Sequence, residues 1–136
     1  MPAHSNVFPW PSHYGHFNFF EQRMRGHSRV RELLKVDEGR YRLTKNDGGV
    51  LEVFICECYS FGVAEYEETK EHLGELDVIV INSNWCGYTP ALKVQCRNER
   101  VGLFDIRDFM AALNRREYWL YLEEWEEKRL KERGFL

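Results

Sequence analysis

The sequence predicts an α/β fold: one domain with a mixed central sheet, a hairpin plus parallel strands, flanked by helices and ending in a long C-terminal helix. Three observations carry this expectation. Residues 50–58, VLEVFICEC, are almost wholly apolar, β-branched or aromatic, as in a strand buried on both faces. Asn46-Asp47-Gly48-Gly49, which tolerate positive φ, join that run to an alternating stretch at 40–44, and this is a hairpin signal. Residues 77–82, DVIVIN, form a short β-branched run between helical segments, which suits a central parallel strand. A chain of 136 residues has room for one domain with a core and not for two.

Residues 1–16 carry Pro2, Pro9 and Pro11 interleaved with Phe8, Trp10 and Tyr14. Prolines stop regular structure while aromatics favour burial, so this is an extended arm laid over the domain or over a partner. The domain proper is 17–136. Helical spacing starts at Phe17, with Phe20, Met24, Arg31 and Leu34 near one stripe, and predicts a helix to about Val36 that Gly26 weakens. After the hairpin, 63–73 reads as a helix with Val63, Tyr66 and Leu73 inward, closed by Gly74. Thr89-Pro90 caps and starts a helix to about Asn98. A brief strand at 101–104 follows, and Asp105 with Asp108 opens a helix over 106–113. The last helix is expected over 115–133, with Tyr118, Leu122 and Trp125 on one stripe and Glu124–Lys128 and Glu127–Lys131 as i,i+4 pairs. Such a helix packs on its own domain or on a second copy, which would make it a route to self-association.

Composition narrows the class. With 43% hydrophobic and 30% charged residues the chain is neither a disordered tail nor a membrane protein, and a cytoplasmic location is the default. Cys56, Cys58, Cys86 and Cys96 lack CxxC spacing and read as reduced thiols; His13 and His16 lack further ligands in sequence. No glycine-rich phosphate loop follows a strand, and Cys86, in the loop after 77–82, has no histidine nearby in sequence. Net charge is −3, unevenly spread: residues 22–45 hold eight basic against three acidic side chains, and 61–136 eleven against fifteen. Arg23, Arg25, Arg29 and Arg31 either follow a phosphate backbone or form a solvated face. Glu57 alone interrupts the apolar run. A carboxylate there needs a partner, a metal or a proton, because desolvating it alone costs too much.

The element order and several local patterns resemble the restriction-endonuclease-like, or PD-(D/E)xK, superfamily, especially its Mrr-like and resolvase-like branches. Phe19-Phe20-Glu21 resembles the FE that opens that fold, Glu57 matches the acidic position of the (D/E)xK triplet, and 77–113 resembles its closing unit. The likeness spans roughly residues 17–113. It implies Asp37 as the aspartate of the hairpin, with Asp47 a poorer candidate, and Asp37 and Glu57 as ligands of Mg²⁺ that Glu21 would complete. Tyr59 stands where the triplet lysine belongs, and a phenol supplies no cation to the developing phosphorane charge. Lys70 from the following helix, or Lys45 across the hairpin, would have to replace it. The expectation is therefore a catalytically degenerate relative that binds a protein or a nucleic acid; the alternative is a Mg²⁺-dependent DNA nuclease with a displaced lysine.

Overall fold

A computed structural model describes residues 7–136, and its centre is β3 (Val50–Cys56). Val53 and Ile55 enter one layer of the core while Phe54 and Cys56 enter the other, so the run is apolar at consecutive positions. β2 (Arg40–Lys45) pairs antiparallel with β3 and with β1 (Val30–Asp37). On its other side β3 pairs parallel with β5 (Val78–Ile81), and β5 pairs parallel with β7 (Gly102–Phe104). The sheet order β1-β2-β3-β5-β7 is the expected mixture of hairpin and parallel strands. A two-residue parallel ladder, β4 (Ser60–Phe61) with β6 (Gly87–Tyr88), stands beside it.

Parallel neighbours need crossovers, and helices supply them. α2 (Val63–Leu73) and α3 (Pro90–Asn98) put Tyr66, Leu92 and Cys96 against Phe54 and Ile79. α1 (Asn18–Arg25) and α4 (Ile106–Ala112) put Phe20, Met24 and Phe109 against Val53, Val78 and Val80 on the opposite face. The capping chemistry is local and forms as expected. Thr89 Oγ1 accepts from Leu92 N at 3.3 Å, Asp105 Oδ1 accepts from Asp108 N at 2.7 Å, and Gly74 ends α2 at φ +75°.

The arm lies on its own domain. Trp10 is buried edge-on to Phe61 at 5.7 Å, and Phe8 stacks on His72 at 4.4 Å. Pro2 lies outside the described residues.

Two expected helices are corrected. The stretch 17–36 is a helix only as far as Arg25; Gly26 caps it, and 30–37 becomes β1. Val30, Leu33 and Val36 suit a strand as well as a helix, and pairing with β2 satisfies a backbone that Gly26 already interrupts. Leu34, placed on the helical stripe, is exposed. The expected helix 115–133 divides into a 3₁₀ turn (Tyr118–Leu120), an extended link and α5 (Glu124–Glu132). Tyr118 is buried in the core and Tyr121 meets Phe104 edge-on at 6.3 Å, contacts a straight helix would not make together. Trp125 is consequently exposed, while Glu126 and Leu130 face inward. Of the expected pairs, Glu127–Lys131 forms at 3.1 Å. Val63, expected inward, is exposed.

The β1–β2 turn depends on Gly39. Its φ is +69°, and a Cβ there would stand 2.6 Å from the Ile55 carbonyl oxygen, while Ile55 N donates to Gly39 O at 2.8 Å. Gly39→Ala should therefore cost roughly 1–3 kcal/mol in a urea titration. An unchanged midpoint would contradict this reading of the turn.

Candidate binding cleft

The parallel strands β3, β5 and β7 end at one edge of the sheet, where α/β folds place ligand crevices. The residues just beyond those ends are Glu57, Asn82 and Asp105, and all three line a cleft of about 720 Å³. The start of α1 and the 83–86 loop form its remaining walls. Tyr14, Phe19 and Trp85, all exposed, stand around it with Arg107.

Glu57 is only 4% exposed. Its Oε1 accepts from the backbone N–H of His13 at 2.9 Å and its Oε2 from Asn82 Nδ2 at 2.7 Å. Its own N–H donates to Trp10 O at 2.8 Å, and Asn82 N donates to Cys56 O at 2.8 Å. The carboxylate that breaks the apolar run therefore joins the arm to two strand ends. Cys86, half-buried at the cleft, has its thiol pushed up to about 12 by burial and then by the negative charge of Glu57. It stays a thiol at neutral pH.

The other residues singled out in the sequence are not brought to Glu57. Asp37 is exposed in the β1–β2 turn, its Oδ1 accepting from Glu38 N at 2.7 Å, with the whole of β2 between β1 and β3. Glu21 accepts from Tyr41 OH at 2.5 Å and Arg25 Nη1 at 3.1 Å, and these donors hold its carboxyl below the usual range. Asp47 is used in the hairpin turn, accepting from Gly49 N at 2.8 Å. Lys70 sits at 3.6 Å from Glu99 and over the Tyr66 ring, near Asp77 at the opposite end of β5. Lys45 borders a separate hollow of about 220 Å³ with Arg29, Arg115 and Arg116. No lysine lines the cleft among the described residues, nor does any group of three or more His, Cys, Asp or Glu stand where it could hold a metal ion. Asp37, Glu57 and Glu21 thus do not fit a shared Mg²⁺. His13 and His16 are exposed on either side of Tyr14.

Arg23, Arg25, Arg29 and Arg31 are all exposed but do not share one element. Arg23 lies over Phe19 at 4.9 Å and Arg25 pairs with Glu21, whereas Arg29 belongs to the hollow beside Lys45 and Arg31 to β1.

The chain matches no family model, no curated protein and no solved structure. Among the described residues no helix is long and apolar enough to cross a membrane.

Behind the cleft lies a polar cluster that local sequence signals did not reveal. Lys93 is 1% exposed; its ammonium donates to Leu103 O and stands 4.2 Å from the Phe104 ring centre. Burial lowers that amine to about 8, against the opposing pull of Glu126 and Asp108. Asp108, 5% exposed, is pushed up to about 7 by burial first and then by Asp105, Glu123 and Glu126, with Lys93 opposing. Lys93 sits among apolar neighbours in α3, and Asp108 reads in sequence simply as part of a capping pattern.

Two outcomes follow. Glu57→Ala leaves two donors without their acceptor and should cost roughly 2–4 kcal/mol while loosening the arm, read as faster proteolysis within 10–16. Equal stability and equal cleavage would defeat the joining role. For Asp108, the folded state holds a proton that the unfolded chain releases above 3.8, so stability falls as pH rises toward about 7 and stays reduced beyond it. Asp108→Asn removes that loss. Relative to wild type it should gain on the order of 1–3 kcal/mol between acidic and mildly alkaline urea titrations, and a pH-independent difference would refute the assignment.

Proposed function

We propose that this chain is a catalytically degenerate protein of the restriction-endonuclease-like kind, which binds a segment of a protein partner in the cleft at the ends of β3, β5 and β7. The observation carrying this reading is that Glu57 serves as a structural acceptor, its Oε1 taking His13 N–H and its Oε2 taking Asn82 Nδ2. A metal at this buried, already hydrogen-bonded carboxylate would find neither Asp37 nor Glu21 in the cleft, and no lysine lines it among the described residues. Support for the kinship is the order helix, hairpin and parallel strands with Glu57 directly after the central strand.

The chemistry of the cleft favours a peptide over a phosphate backbone. Glu57 and Asp105 line it, opposed by Arg107, and Glu126 stands close behind with a part-protonated Asp108 and the buried Lys93. Such a field repels polyanions and attracts basic segments. Tyr14, Phe19 and Trp85 supply rigid aromatic anchors of the kind that dominate interface energetics. One observation favours a second reading: the hollow formed by Arg29, Lys45, Arg115 and Arg116 would suit nucleic-acid phosphates.

The deciding experiment compares fluorescent lysine-rich peptides, acidic peptides and single- and double-stranded DNA, with Mg²⁺ and Mn²⁺ present. The expected result is selective binding of the basic peptides, lost in Trp85→Ala at unchanged thermal stability, with no cleavage of DNA. DNA binding lost in Arg115→Glu would support the second reading. Metal-dependent cleavage abolished by Glu57→Gln would overturn both.

A further inference from the structure

A smaller cavity of about 160 Å³ adjoins the cleft and shares Ile81, Cys86 and Asp105 with it. Glu126 enters it from α5. This side chain is 5% exposed, and Tyr88 OH donates to its Oε2 at 2.6 Å. Its Oε1 is buried and has no hydrogen-bond partner. Asp105 and Asp108 line the same cavity, so an acceptor lacking a donor stands among other carboxyl groups. The nearby ammonium of Lys93 does not meet this need, because it is directed to Leu103 O. Arg129 forms part of the wall but makes no ion pair with Glu126 among the described residues.

We infer that this cavity is a binding site for a primary alkylammonium group, either a free alkylamine or the side chain of a lysine entering through the cleft. Three features select that chemistry. The unfilled acceptor is a single oxygen, since its twin is held by Tyr88, so the two-pronged pairing that favours a guanidinium is not on offer and a point donor suffices. Ile81, Tyr88, Pro90 and Leu130 give the site an apolar wall against which a short methylene stem packs. A cavity of 160 Å³ is close to the roughly 150 Å³ that accommodates benzene, about the bulk of a butylammonium group.

The site itself is independent of the cleft's function; the lysine source rests on the peptide-binding reading above. The test is calorimetric titration of the whole chain with butylammonium and, separately, with 1-butanol, which shares the stem but not the charge. Saturable butylammonium binding in the millimolar range or tighter, at least tenfold stronger than butanol and weakened roughly tenfold or more by Glu126→Gln, is the expected result. A blocked tripeptide with central lysine is then compared with its acetyl-lysine counterpart. Binding of the lysine form alone assigns the site to a partner's side chain. Binding of butylammonium without the peptide upholds the site, assigns it to a free amine and counts against the peptide reading of the cleft. Butanol binding as well as butylammonium, or equal affinity in wild type and Glu126→Gln, overturns the inference. The butanol comparison needs no variant, so a folding defect in Glu126→Gln cannot rescue the idea.

Discussion

The arrangement at the cleft depends on how one buried carboxylate is satisfied. Glu57 follows an apolar strand directly, and a charge left unpaired there would cost several kcal/mol. The protein supplies a main-chain N–H from the arm and a side-chain amide from the end of the neighbouring parallel strand. Because the two donors come from parts of the chain 44 and 25 residues distant in sequence, satisfying the charge also fixes the arm against the strand ends. Trp10 can then fill the space beside Phe61, and Tyr14 is held at the mouth of the cleft.

This changes what the acid does. In the chemistry that the resemblance implies, the carboxylate would face a cation and a second acid would converge on it. Here each potential partner is committed elsewhere: Glu21 to Tyr41 and Arg25, Asp37 to the turn it occupies, Lys70 to Glu99. Their positions follow from the sheet order. Asp37 lies on the edge strand, separated from β3 by β2, and Lys70 faces the end of the sheet where β5 begins rather than where it stops. The acids that do gather are Asp105 in the cleft wall and Asp108 and Glu126 behind it, where burial raises the Asp108 carboxyl to about 7.

The central strand, the 46–49 turn and the caps at Thr89, Asp105 and Gly74 were legible because each is set by residues a few positions apart. β1 was not, since Val30, Leu33 and Leu34 satisfy helical spacing and a bulged strand alike; only the pairing with β2 separates the two. The break before α5 was hidden for a similar reason. The aromatic stripe over 118–125 is consistent with a helix until Phe104, distant in sequence, draws Tyr121 toward the core. Glu57 was legible as an anomaly, but its partner at His13 is a backbone group and leaves no trace in residue identity. Asn82 could have been flagged as the polar residue closing a buried parallel strand. Lys93 and Glu126 carry no local signal, since their burial depends on α3 and α5 meeting the sheet edge.

The most direct test is amide hydrogen exchange at His13 in wild type and Glu57→Ala. A donor held by a buried carboxylate exchanges slowly, so the account predicts a protected His13 N–H in wild type, unaffected by Mg²⁺ and lost in the variant. A His13 amide that exchanges at the rate of an exposed loop in wild type, or whose protection collapses when Mg²⁺ is added, would mean that the carboxylate is available to a cation and would contradict the central claim.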